Sequence, residues 1–149
     1  MPEEGDGRVV PRPLDWGDAD DAIGRTLFDL YRRLAAIRRD HPALRTASFH
    51  PWPYGEGDTH FDDHGYGIDV DRRAAVYHRW GVLDDGSVER VIVVLNFSPV
   101  DQSLDVPFSV NGSWDELLDG SRVDVWEFVL RGVVVPSNWG RIYSNISPT

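Results

Sequence analysis

The apolar residues of this chain change period once, at Pro42, and that change decides most of what the chain can become. Between Asp21 and Arg39, the residues Ile23, Leu27, Leu30, Tyr31, Leu34 and Ile37 recur at steps of three and four. They therefore fall on one face of a helix. Arg25, Asp29, Arg32, Arg33 and Arg39 occupy the remaining faces. Asp20 and Asp21 suit the positive N-terminal end of such a helix, and Arg38 and Arg39 its C-terminal end. Pro42 has no amide proton and disfavours a helical residue before it, so Asp40-His41 is the exit.

Beyond Pro42 the helical period does not return. Residues 46 to 67 read as loop, punctuated by Pro51, Pro53, Gly55, Gly57, Gly65 and Gly67, with a short strand around Ser48 to Trp52. From residue 68 onward the chain reads as strands. They cover Ala75 to Trp80, Val88 to Phe97, Ser103 to Val106, Ser113 to Leu118, Val123 to Leu130, Val133 to Val135 and Arg141 to Ser144. Asp84-Asp85-Gly86 lies between the first two, and an Asp-Gly step favours a tight hairpin. Val91 to Leu95 is apolar at every position, as in a central strand covered on both sides. Short strands separated by Gly, Pro, Asn and Asp predict an antiparallel sandwich or barrel. Residues 1 to 22 are irregular, with Leu14-Asp15-Trp16 their one apolar feature.

Composition narrows the function classes. At 149 residues with 41% hydrophobic content, the chain can bury one core. Its longest apolar runs are far too short to cross a bilayer, and no membrane partner is expected. The acidic start, Met1-Pro2-Glu3-Glu4-Gly5-Asp6, carries no signal or transit peptide. With cysteine absent, disulfide and thiolate chemistry are excluded, and a cytoplasmic location is favoured. A net charge of −10 argues against a nucleic-acid partner, which would need a basic patch.

The order of segments resembles a known family. Pro13-Leu14-Asp15-Trp16, then Thr26-Leu27-Phe28-Asp29-Leu30-Tyr31-Arg32-Arg33-Leu34, then Ile37 through His41-Pro42-Ala43-Leu44-Arg45, is similar to the stretch that closes the catalytic barrel of α-amylase-type enzymes, glycoside hydrolase family 13. Val91 to Ser98, ending in Leu95-Asn96-Phe97-Ser98, resembles the central strand of the domain C that follows the barrel. Ser113-Trp114-Asp115-Glu116-Leu117-Leu118-Asp119-Gly120 resembles that domain's next recurrent piece. Val133-Val134-Val135-Pro136 through Arg141-Ile142-Tyr143 is similar to its closing strands. The resemblance spans roughly residues 11 to 144. It rests on order and spacing, since no single motif is specific.

The resemblance implies a mostly β fold, an antiparallel Greek-key β-sandwich like α-amylase domain C, preceded by one amphipathic α-helix. Residues 1–45 would be an irregular segment and helix from the end of a (β/α)8 barrel, and 46–149 an all-β C-terminal domain. The family's catalytic carboxylates sit on barrel loops before the last helix. No segment here matches their motifs, so no catalytic residue carries over. A retaining glycosidase needs two carboxylates held about 5 Å apart by a rigid frame. The implied role is non-catalytic: to shield and stabilise the barrel of an enzyme acting on α-glucosides, with self-association through the apolar face left uncovered in its absence. No cofactor is expected.

Two groups of side chains remain as candidates for ligand contact. Asp58, His60 and Asp62, in Gly57-Asp58-Thr59-His60-Phe61-Asp62-Asp63-His64, offer oxygen and imidazole donors that could bind a divalent cation. Their spacing matches neither an EF-hand nor a zinc helix, and a solvated loop whose Asp residues make turns is the expected role. His50 and Ser48 lie nearby without a nucleophile elbow or oxyanion donor. Trp52, Tyr54 and Trp139 fall in loops containing Pro and Gly, where an indole or phenol could stack on an α-glucan ring. Trp80, Trp114 and Trp126 fall in strand patterns, as core or interface residues. Two alternatives to the non-catalytic enzyme region stay open: a stand-alone carbohydrate-binding module, and a protein-interaction sandwich.

All fifteen basic residues are Arg, and nineteen of the twenty-five acids are Asp. GC-rich codon usage and adaptation to high salt both account for this. In a salt-adapted protein the counterions screen self-repulsion, so the thermal midpoint rises from low to multimolar KCl. A flat or falling midpoint leaves codon usage.

Overall fold

A computed structural model describes residues 17, 21–52 and 57–148. Two compact units make up the chain, Met1–Ala36 and Ile37–Thr149.

Helix α1 spans Ala22–Asp40. Its start is set by Asp21, whose Oδ1 accepts the Gly24 amide at 2.6 Å and satisfies one of the free donors of the first turn. Ile37 is its buried residue, whereas Ile23, Leu27 and Tyr31 of the apolar stripe are exposed. Pro42 ends the helix as its chemistry requires. The chain continues as a single 3-10 turn, Pro42–Arg45.

Nine strands follow: β1 Phe49–His50, β2 Gly67–Asp69, β3 Ala74–Val82, β4 Val88–Asn96, β5 Gln102–Pro107, β6 Gly112–Glu116, β7 Arg122–Val125, β8 Val129–Val135 and β9 Trp139–Ser147. The fold is mostly antiparallel β, a sandwich with one α-helix near the N-terminus among the described residues. The larger sheet runs β1-β3-β4-β9-β6-β7, with β2 also pairing β3, and the smaller sheet is β5-β8. None of the described helices is long and apolar enough to cross a membrane.

Between the two sheets lies the main core, which includes Val76, Ile92, Val94 and Trp114 from the large sheet and Leu104, Val106, Val133 and Val135 from the small one. Phe108 packs edge-on to both Trp114 and Tyr143, at 4.9 and 5.4 Å between ring centroids. The Leu95-Asn96-Phe97-Ser98 run has a mechanical role. Asn96 is buried; its Nδ2 lies within 3.0 Å of the carbonyls of Val100, Val135 and Pro136, and its Oδ1 accepts the Ser98 amide. One amide thereby ties the end of β4 to the end of β8.

The predicted strands differ from the observed ones in two places. Gly67–Asp69 forms a strand ahead of Ala75 to Trp80, which was expected to come first, because Ile68 pairs with Ala75 of β3. Val123 to Leu130, expected as one strand, is two strands joined by a turn at Trp126 to Val129. Glu127 and Phe128 both adopt positive φ, 58° and 60°, in that turn. Such turns are usually marked by Gly or Asn, and neither occurs there, so the sequence hides the reversal. Trp126, expected in the core or an interface, is consequently 71% exposed.

A left-handed conformation costs a non-glycine residue about 1–2 kcal/mol. Glu127→Gly is expected to raise stability by up to about 1 kcal/mol, after the entropy that glycine adds to the unfolded state. Urea unfolding checks this; a lower midpoint would mean that the Glu127 side chain contributes more than the strain.

Candidate docking face and inner cleft

Side chains alternate along β4 between two environments. Ile92 and Val94 enter the inter-sheet core, while Val91 and Val93 join a second apolar cluster with Ala43, supported by Leu44, Tyr77, Leu95 and Ile142. The large sheet thus has an apolar outer face as well as an inner one, as the uninterrupted Val91–Leu95 run implied.

The 3-10 turn Pro42–Arg45 lies on one part of that outer face, and a buried carboxylate holds it there. Glu89 of β4 is 1% exposed. Its Oε1 lies 2.6 Å from Nδ1 of His41, and its Oε2 accepts the Ala43 amide at 2.9 Å. Ser144 Oγ on β9 completes the set at 3.4 Å. A buried carboxylate is tolerable only when so satisfied. Gly81 of β3 lies under the same turn. A Cβ there would stand 2.9 Å from Thr46 Cγ2 and 3.4 Å from Ala43 Cα, so glycine permits the close approach.

The other part of the outer face is open. Phe49, Pro51, Ile68, Tyr77, Leu95 and Phe97 line a cleft of about 440 Å³, and Phe97 is 61% exposed at its rim. Burial holds the Tyr77 hydroxyl above its ordinary pKa, against a smaller opposing pull from Arg79. The cleft offers apolar contact and no constellation of acid, base and nucleophile.

A second cleft, of about 350 Å³, lies on the inner-face parity of the same sheet, lined by His50, His78, Trp80, Val88 and Arg90. The register places His50 beside His78 and Trp80 beside Arg90. His78 and Trp80 rings lie 5.0 Å apart, and Ser109 Oγ lies 3.3 Å from His78 Nε2. Burial, then the charges of Arg90 and His50, push the His78 pKa down to about 4.

The sequence candidates distribute as follows. Asp62 is committed to its own loop: Oδ1 accepts the amides of His64 and Tyr66, and Oδ2 lies 3.3 Å from His50 Nε2. Partial burial pushes its carboxyl up, but these partners outweigh that and hold it below the usual range. His60 lines a separate polar cleft with Asp69, Arg72 and Asp105. Among the described residues no three such donors converge on a point where a metal ion could sit, with Asp58, His60 and Asp62 included. Trp52 is 79% exposed next to β1, and Trp139 is 40% exposed on β9. Strands β3 and β4 run between β1 and β9, a separation of roughly 14 Å at the usual strand spacing. The two indoles therefore do not form one platform for a single sugar ring. Tyr54 lies outside the described residues. Trp114 is fully buried as expected, and Trp80 is half-buried at the inner cleft.

Sequence reasoning missed Glu89 and the inner cleft. The signal for Glu89 was a charged residue sharing the parity of Val91, Val93 and Leu95. Its partners, 46 and 48 positions earlier, left no local trace.

No protein-family model matches the chain, and no curated protein sequence matches it significantly. Among solved structures it is similar to an Anoxybacillus α-amylase described as giving insight into a new glycosyl hydrolase subclass. That likeness has 16% sequence identity, a TM-score of 0.54, and covers 84% of this chain. The chain spans 23% of the length of that amylase. Its fold is thus related to one found in an α-amylase.

Two outcomes follow. Glu89→Gln keeps the shape but loses the negative charge and one acceptor facing His41 or Ala43; urea melts are expected to show a loss of about 2–3 kcal/mol. His78 titrates near 4 in the fold and near 6.5 unfolded. The unfolded chain therefore binds the extra proton in this window, and stability falls as pH is lowered from about 6.5 towards 4. His78→Gln is expected to flatten that slope in urea midpoints taken at pH 7, 6 and 5.

Proposed function

We propose that this chain is a non-catalytic C-terminal region of an α-amylase-like glycoside hydrolase, the last barrel helix and the β domain that follows it, which covers part of the barrel. One observation carries the reading. The residues following α1 are clamped to the outer face of the large sheet by Glu89, and the rest of that face remains an open apolar cleft. The open part, from Phe49 to Phe97, is the apolar surface that the barrel of a parent enzyme would cover. The amylase-related fold and the order of segments from Pro13 to Tyr143 support the same assignment. Membership of family 13, and action of the parent on α-glucosides, belong to this proposal.

The chemistry required of such a region is modest. It removes apolar surface from water, at roughly 25 cal/mol for each Å² covered, and it supplies a rigid sandwich on which the barrel's last helix ends. Isolated from a barrel, the open cleft makes the chain self-associate.

A second reading has one observation of its own: the 79% exposure of Trp52. An indole so presented can stack on a pyranose, which would make the chain a carbohydrate-binding module. Binding of β-cyclodextrin lost in Trp52→Ala or Trp139→Ala would select that reading.

For the docking reading, sedimentation equilibrium of the isolated chain is expected to show dimers at tens of micromolar. Leu95→Asp and Phe97→Asp are expected to return it to monomer with an unchanged circular dichroism spectrum. The chain is also expected to release no reducing sugar from starch. A monomeric chain that binds no hydrophobic dye sinks the docking face, and turnover of starch sinks the non-catalytic role.

A further inference from the structure

Arg90 is a half-buried guanidinium in a protein of net charge −10, with twenty-five carboxylates to fifteen arginines. Burying a charge is costly unless it is paired, and several polar groups at depth obey that rule. Glu89 faces His41, Arg141 meets Asp119 at 2.7 Å, and Glu116 accepts the amides of Leu118, Asp119 and Ile142. Arg90 differs. Its Nη1 donates to the Ser147 hydroxyl at 2.7 Å, and no carboxylate among the described residues lies within ion-pair distance.

The surroundings do not replace the missing anion. Across the register from Arg90 stands Trp80, and diagonal to it stands His78, which burial and Arg90 itself keep uncharged at neutral pH. His50, the other ionisable group of the cleft, has its own acid in Asp62. The cleft is therefore locally positive or neutral within an acidic protein. It combines one guanidinium, of whose five N–H donors one goes to Ser147, with an indole wall, the apolar side of Val88, and the Ser109 hydroxyl held against His78.

We infer that the His78–Trp80–Arg90 cleft is a binding site for a small organic anion, a phosphate or carboxylate borne on a ring-sized body. Arg90 takes the anionic group through paired N–H donors, as guanidinium geometry favours. Trp80 and Val88 take the ring, and neutral His78 is available as a hydrogen-bond partner for a substituent. The site lies on the opposite parity of the sheet from the docking face, so neither assignment depends on the other.

An aromatic ring and a sugar ring both satisfy this chemistry, and the probes separate them. Isothermal titration at neutral pH and 150 mM salt uses phenyl phosphate, glucose 6-phosphate, inorganic phosphate and glucose. At least one ring phosphate is expected to bind at a single site, tenfold or more tighter than inorganic phosphate, with glucose silent. The tighter of the two identifies the ring. Arg90→Gln is expected to weaken that ligand at least tenfold, and Trp80→Ala to reduce it to the level of inorganic phosphate. Arg90→Lys, which keeps the charge, retains part of the affinity. Binding is also expected to shift the His78 imidazole resonances in the unmodified protein, a readout independent of how the variants fold. No saturable heat up to 20 mM with either ring phosphate overturns the proposal. So does equal binding of all the anions, or binding that Arg90→Gln leaves unchanged with the His78 signals unmoved.

Discussion

The contact of Glu89 with His41 and the Ala43 amide holds together two parts of the chain that share no pattern. One is the end of a helix stopped by Pro42; the other is the central strand of a sandwich. The interaction is strong because it is dry: a carboxylate removed from water keeps its charge only by spending both oxygens on fixed donors. Other features of that face conform to it. Gly81 is small so that the turn can approach, Ser144 adds its hydroxyl from β9, and Val91 and Val93 pack beneath Ala43. Without the carboxylate, the turn would keep its apolar contacts and the bonds of Thr46 to β3, where the hydroxyl donates to the Trp80 carbonyl and the Thr46 carbonyl accepts from Arg79.

The sandwich depends on a comparable device at its other end. Asn96 gathers carbonyls from the β4–β5 connection and the end of β8, and the two sheets meet there through one side chain. Glu116 does similar work for the turn after β6, where burial raises its carboxyl while backbone amides partly offset the shift. Glu89, Asn96 and Glu116 thus act as fasteners between segments, each matched to backbone donors or acceptors as buried groups must be. Arg90, with a hydroxyl but no carboxylate as partner among the described residues, departs from that pattern, as does Arg79 with its unpartnered Nε.

How much of this was legible in advance follows from which signals are local. The helix, its stop at Pro42, the two-faced strand at Val91–Leu95 and the Asp85-Gly86 hairpin were all readable, because period and turn chemistry act within a few residues. The turn at Glu127-Phe128 was not, since its backbone conformation is imposed by pairing of β7 and β8 with their neighbours rather than by residues that favour it. For the candidate sites, the aromatic residues were visible but their grouping was not. Trp52 and Trp139 look alike in sequence but one lies beside β1 and the other on β9, with β3 and β4 between those strands, whereas His50, His78 and Arg90 come together only through strand register. An orphan charge is likewise invisible in sequence, because it is defined by what fails to lie near it.

Strand β4 is read twice, once by each neighbour it faces. Odd-numbered positions from Glu89 to Leu95 speak to the outer layer, and even-numbered positions from Arg90 to Val94 to the sandwich. Because the two sets interleave with a period of two, substitutions can alter one layer while leaving the other intact. A slip of a single residue would exchange the messages, seating Glu89 among core side chains and turning Ile92 outward. The strand's register therefore works as an address, and the clamp at its start is what keeps that address from being misread.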